Sequence, residues 1–150
     1  MHSKVKGTIG HLTIATELVK LGCEVFTELG DNSKVDLIAL YKNKPIKIQV
    51  KSYTSEDDGG SVLVYATKSG PNYNFKYSED EVDIFAVYVL DTSDIFYVAS
   101  KELCLTNKSI SIRLRESKNG QKNKVRLVEN YKNFFFVIDK QFGVVTQLAE

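Results

Sequence analysis

Apolar residues in this chain fall into short runs separated by polar turns, and the spacing within each run sets the element expected there. Leu12, Ala15, Leu18 and Val19 recur near helical spacing, so residues from about Ser3 to Leu21 are expected as a first helix, with Gly22 placed to end it. Cys23 to Leu29 reads as a strand, and Gly30-Asp31-Asn32-Ser33 as the turn after it. Two apolar runs, Val35 to Leu40 and Ile46 to Val50, flank Lys42-Asn43-Lys44-Pro45 and predict a β-hairpin with a short polar turn. A polar loop from Tyr53 to Gly60 then leads to a strand at Ser61 to Thr67. The loop is either a mobile flap or an exposed connection.

Further on, Val82 to Leu90 and Ile95 to Ala99 predict two strands around Asp91-Thr92-Ser93-Asp94, completing a central sheet. Between Ser109 and Val128, Ile110, Ile112 and Leu114 alternate with Ser111, Arg113 and Arg115. A polar tip from Glu116 to Asn123 precedes Val125, Arg126 and Leu127, so this segment is expected to be a hairpin with one apolar and one basic face. Phe134 to Ile138 and Phe142 to Thr146 form a last apolar pair around Asp139-Lys140-Gln141, finishing the core or a subunit interface. No internal repeat, low-complexity tract or linker is visible.

A chain of 150 residues, 43% hydrophobic and 26% charged, fits one domain with a substantial core. No apolar stretch approaches the roughly 20 residues a membrane helix needs, so no membrane partner is expected. The N-terminus MHSKVKGTIG lacks the apolar segment of a signal peptide, and Cys23 and Cys104 have no metal-ligand spacing. A cytoplasmic protein with two reduced, buried cysteines is expected. The net charge of +1 is uninformative, but its distribution is not. Ser78 to Asp94 holds six carboxylates and no Lys or Arg, whereas Lys101 to Lys132 holds nine cations against three glutamates. That segregation predicts one basic surface for a phosphate backbone.

The predicted hairpin of residues 34–52 carries the candidate chemistry. A pairing symmetric about a Lys42–Pro45 turn sets Asp36 roughly opposite Lys51, with Gln49 on the same face and diagonal to Asp36. A cross-strand ion pair is the simple account. The alternative is a divalent-metal site, in which Asp36, the Gln49 side-chain carbonyl and the Val50 backbone carbonyl hold Mg2+ or Mn2+ while Lys51 faces the phosphate and the attacking water.

Asp36 followed by Gln49-Val50-Lys51, and preceded by Gly7-x-x-Gly10-x-x-x-x-Ala15 on a helix, resembles the core of the PD-(D/E)XK nucleases. Lys34-Val35-Asp36 stands in the PD slot and Gln49 in the (D/E) slot. The order of elements over about residues 4–100 is similar to the group I intron homing endonucleases of that superfamily, notably the cyanobacterial transfer-RNA intron type, in which glutamine also replaces the acidic residue. The resemblance implies an α/β, restriction-endonuclease-like core with a mixed central β-sheet flanked by helices, here extended by the basic hairpin of about residues 108–128. It implies a metal-dependent endonuclease of double-stranded DNA that leaves 5′-phosphates. Two active sites are needed for a double-strand break, so a homo-oligomer, dimer or tetramer, is expected.

Two positions depart from the pattern. Gln49 lacks a formal charge, and His11 stands where many relatives carry a helix glutamate; it is either structural or a participant. Lys108, Arg113, Arg115, Lys118, Lys122, Lys124 and Arg126 are the expected DNA contacts, because a two-stranded ribbon fits the major groove. The other reading is a sheet-edge hairpin kept soluble by its cations. Lys68 to Tyr77 mixes Lys, Asn and aromatics, and would either grip nucleic acid or cover the core. Glu28 and Asp31 would add carboxylate near the metal or merely form a solvated turn. Gly7 and Gly10 imply close approach of substrate or ordinary helix–sheet packing. A junction resolvase or repair nuclease, and an inactive DNA-binding module of the same fold, remain as alternatives.

Overall fold

The structure is a computed structural model and describes residues 1–106, 108–116 and 125–143. The first helix, α1 (Ser3–Lys20), starts where the His2 ring accepts from the Lys4 N–H at 3.2 Å. It ends before Gly22, whose φ of +94° reverses the chain. Its buried residues, Gly10, Ile14 and Leu18, form one stripe against the sheet.

Five strands make the central sheet: β1 (Glu24–Thr27), β2 (Leu37–Tyr41), β3 (Lys44–Tyr53), β7 (Ile84–Val89) and β8 (Ile95–Ala99). They lie in the order β1-β2-β3-β7-β8, with β3 and β7 parallel and the other neighbours antiparallel. β7 is buried on both faces, as its unbroken run Ile84-Phe85-Ala86-Val87 requires.

One face of this sheet packs on α1 and on α3 (Phe134–Phe142) through Ile14, Leu18, Leu37, Ile48, Ala86, Tyr97 and Phe134. The other face carries Phe85, Val87, Phe96 and Val98 and is covered by a second sheet, β10-β9-β4. That sheet is built from β4 (Ser61–Tyr65), β9 (Ser109–Arg113) and β10 (Arg126–Leu127). A two-stranded sheet, β5 (Thr67–Gly70) with β6 (Tyr73–Lys76), and a short helix α2 (Ser100–Cys104) complete the described elements. The two longer helices, α1 and α3, thus lie on one face, while Leu103 of α2 packs into the core on the other.

Three sequence expectations are corrected. The turn of the β2–β3 hairpin is two residues, Lys42 and Asn43, at φ +50° and +65°, the left-handed pair that matches strand twist. Lys44 and Pro45 belong to β3, and β7 first pairs at Ile48. Pro45 thus costs no ladder bond.

The segment Ser109 to Val128 is not an antiparallel ribbon. β9 pairs antiparallel with β4, and the two residues of β10 pair parallel with it, Arg126 beside Ile112. Its tip lies outside the described residues. The last apolar pair is also different: Phe134–Phe142 is a helix, capped by the Asn133 side chain accepting from the Phe136 N–H at 3.1 Å and closed at Gly143 with φ +65°. Burial of Phe134, Val137, Ile138 and Gln141 fits a 3.6-residue period. Residues 144–146 of the expected pair lie outside the described residues.

Candidate active site

β3 runs five residues beyond its pairing with β2, which ends at Leu37–Ile48. From Gln49 to Tyr53 it is paired with β7 alone, leaving a notch in the sheet beside α1. The chain before β2 is shaped to fill that notch. Both oxygens of Glu28 accept backbone N–H bonds, from Asn32 at 3.0 Å and from Ser33 at 3.1 Å, and the Ser33 hydroxyl accepts from Val35 at 3.0 Å. Asp36 follows; its N–H donates to the Ile48 carbonyl at 2.9 Å, and its Oδ2 accepts from the Val50 N–H at 2.9 Å. A side-chain carboxylate thus satisfies a donor that a longer β2 would have paired. N–H and C=O of one residue face the same edge of an antiparallel strand, so the Val50 carbonyl also faces the notch.

The observed register ends with Leu37 across from Ile48, two residues out of step with the one a four-residue turn predicts, and Asp36 donates to Ile48 instead of standing across from Lys51. Gln49 and Lys51 still share one face of β3, and Asp36 is brought beside that strand by its bond from the Val50 N–H. Asp36, Gln49 and Val50 line one cleft of about 620 Å3, with Lys4, Gly7, His11, Asp31 and Lys68 around it. Gln49 is only 7% exposed, and its Oε1 is buried without a hydrogen-bond partner. A buried amide oxygen in that state carries an uncompensated desolvation cost of about 1–3 kcal/mol. A cation beside it would remove that cost, and Asp36 supplies the anionic oxygen such a cation needs. The donor set is small: among the described residues no group of three or more His, Cys, Asp and Glu side chains is arranged to hold a metal. One carboxylate, one amide and one backbone carbonyl fit a hard divalent ion that completes its shell with water and phosphate oxygens.

Lys51 stands slightly apart. Its ammonium lies over the rings of Tyr77 and Phe85, 4.9 Å and 5.7 Å from their centroids, and forms no ion pair with Asp36. Burial, and then the charge of Lys68, pushes it down to about 8, against the opposing pull of Asp36. The Asp36 carboxyl is pushed up by burial, opposed by the Val50 N–H and by the charges of His11 and Lys68. Sequence reasoning did not single out Lys68 or Tyr77 as individual site residues. The signal was the Lys-and-aromatic composition of Lys68 to Tyr77, which did not reveal what that segment would face.

His11 lines the cleft with its Nε2 2.9 Å from the Thr27 hydroxyl. Glu28 also borders the cleft, but its oxygens close the 28–33 turn; Asp31 lies on the wall near Asp36. Of the glycines, Gly10 is explained by packing, since a Cβ there would fall 1.8 Å from the Ser52 hydroxyl. Gly7 faces open space in the cleft.

The expected basic surface is partly neutralised. The Arg115 guanidinium donates to the Asp58 carbonyl, Arg126 pairs with Glu102 at 3.0 Å, and Lys132 reaches Asp94 and Glu129, each at 3.6 Å. Of these contacts, Lys132–Asp94 joins the acidic stretch 78–94 to the basic stretch 101–132. Lys108 is exposed and Arg113 half-buried at the end of β9; Lys118, Lys122 and Lys124 lie outside the described residues. Cys23 is buried and Cys104 half-buried, both as free thiols. Among the described residues, no helix is long and apolar enough to cross a membrane.

The PD-(D/E)XK endonuclease family model matches residues 1–134. Among solved structures, the fold is similar to that of the bacterial homing endonuclease I-Ssp6803I, with a TM-score of 0.74 and 22% identity over 97% of this chain and 99% of that one. That likeness shows a shared fold. No curated protein matches the chain.

Proposed function

The chain belongs to the PD-(D/E)XK endonuclease family, and from that premise we propose that it is a metal-dependent, site-specific endonuclease of double-stranded DNA, of the homing type. The observation that carries this reading is the meeting of the Asp36 carboxylate and the unpartnered Gln49 Oε1 in one cleft. PD-(D/E)XK nucleases generally use divalent ions, and Mg2+, or Mn2+ in its place, suits the all-oxygen donors of Asp36, Gln49 and the Val50 carbonyl.

When bound, such an ion polarises the scissile phosphate and lowers the pKa of a coordinated water. The protein's own residues do the rest. Asp36, fixed by the Val50 N–H, holds its second oxygen toward the cleft. Gln49 contributes a neutral donor that needs no deprotonation. Lys51, protonated and half-buried over two rings, stabilises the negative charge that grows on the phosphate oxygens in the transition state. His11 holds Thr27 at the mouth and adds a donor beside Asp36. Each protomer carries one such site, so a double-strand break calls for a two-fold assembly, dimer or tetramer, on a partly symmetric target.

Lys108, Arg113, Arg115, Lys118, Lys122, Lys124 and Arg126 remain our proposed DNA contacts. Arg115 and Arg126 would have to exchange present partners for phosphate. The small donor set also favours a second reading, a nuclease fold retained for DNA binding without metal chemistry. Incubation with DNA libraries in Mg2+ or Mn2+, with mapping of cut ends, separates the two. Metal-dependent cuts at a recurrent sequence are expected, and the absence of any cutting refutes the enzymatic reading.

A further inference from the structure

The cleft holds a cation outside the β2–β3 pair that carries Asp36, Gln49 and Lys51. Lys68 stands on β5, in the separate β5–β6 sheet, and lines the same wall as Asp36, Gln49 and His11. Its head is exposed, and its charge reaches both Asp36 and Lys51. Placement of this residue is not left to a loose loop. Tyr77 returns the hairpin to the core by donating its N–H to the Ala66 carbonyl at 2.9 Å. Within the hairpin Lys68 pairs with Phe75, so the two share a face. Phe75 packs edge-on against Tyr77, and Tyr77 against Phe85 of β7, both with centroids 5.2 Å apart. A stack of three rings therefore ties the strand pair bearing Lys68 to the sheet, and the Lys51 ammonium lies over two of those rings.

Phosphodiester hydrolysis places growing charge on more than one non-bridging oxygen, and those oxygens diverge. Lys51 stands on β3 with its ammonium over Tyr77 and Phe85, and Lys68 lines the cleft from β5. Two cations on separate elements suit two diverging oxygens, or two successive phosphates of one strand.

We propose that Lys68 is a substrate-binding residue of this cleft, contacting a phosphate oxygen of the DNA strand held at Asp36 and Gln49. The inference rests on the nuclease reading of the cleft. It makes the β5–β6 hairpin part of the substrate grip rather than a surface ornament of the core.

The test compares Lys68→Ala and Lys68→Arg with Lys76→Ala, an exposed lysine on the same hairpin that does not line the cleft. Binding of a labelled mixed-sequence duplex is measured in Ca2+ across a salt series, and cleavage in Mg2+ or Mn2+ on a DNA library and on the recurrent target recovered from it. Lys68→Ala is expected to lower the log–log salt slope by about 0.9 and Lys68→Arg to restore it, with Lys76→Ala closer to wild type. Cleavage by Lys68→Ala should be at least about tenfold slower, the loss falling more on KM than on kcat.

If the wild type cuts, and Lys68→Ala cuts and binds like it with the same slope, the assignment of Lys68 is overturned while the nuclease reading stands. If the wild type does not cut, the nuclease reading fails and the duplex arm still decides. A slope lowered only at Lys68 supports a phosphate contact, and slopes equal for Lys68→Ala and Lys76→Ala overturn it.

Discussion

Replacing Gln49 by glutamate restores the usual charge of the motif and exposes what that position is for. Gln49 is 7% exposed and lines the same cleft as Asp36, which accepts from the N–H of the next residue, Val50. Two carboxylates about 5 Å apart, a separation ordinary for neighbouring side chains in one cleft, repel by about 3 kcal/mol at an effective dielectric of 20. Desolvation adds to the repulsion. Without metal, Gln49→Glu should therefore be about 2–4 kcal/mol less stable than wild type at pH 7, a drop in Tm on the order of 10 °C. The new carboxyl would have a folded-state pKa above its ordinary value of about 4.3, so the folded state binds more protons. The stability gap should then be small near pH 4 and widen as pH rises. A divalent ion reverses the balance, because the same two carboxylates now attract it. Thermal unfolding in EDTA and across an Mg2+ series, at acid and neutral pH, reads each step. A variant as stable as wild type in EDTA at pH 7, or a deficit that Mg2+ leaves unchanged, would refute the reasoning.

Asp36→Asn keeps an acceptor for the Val50 N–H, so circular dichroism should report an intact fold while DNA cleavage falls by at least about a hundredfold; Lys51→Ala should do the same to cleavage. The depressed Lys51 value means the folded state binds fewer protons than the unfolded chain between about pH 8 and the ordinary 10.5, so wild-type stability should gain with pH across that window relative to Lys51→Met. Denaturant melts of both proteins at pH 7 and 9.5 check this, and parallel curves would contradict it. In α1, Gly7→Ala has open space and should stabilise by up to about 1 kcal/mol. Gly10→Ala meets Ser52 and Val50 and should destabilise by about 1–3 kcal/mol, partly relieved by Ser52→Ala.

The elements that were legible in the sequence are those whose contacts are local. Leu12, Ala15 and Leu18 announced α1, and alternation around Asn43 announced the β2–β3 hairpin. Gln49 and Lys51 could be assigned to one face because that depends only on a period of two. The register was not legible, because Lys44-Pro45 reads equally as turn or strand, and only the left-handed pair Lys42-Asn43 decides it. Phe134-Phe135-Phe136-Val137-Ile138 has no polar gap to betray its period; the helix rests on Asn133 and Gly143 at its ends and on Tyr97 beneath it. β9 looked like half of a hairpin because its true partner, β4, lies far back in the chain. Lys68 and Tyr77 were hidden for the same reason: a fold brings them to the cleft, not a spacing.

The strand that presents Gln49 and Lys51 has its other edge on β7, and both are pinned by a parallel pairing between distant stretches of chain. Parallel strands cannot zip from a tight turn; they wait for the intervening residues. During synthesis, a ribosome that has released only as far as residue 83 has delivered every side chain of the motif and none of the support that aligns them. Under the proposed function, cutting ability should thus appear late and all at once.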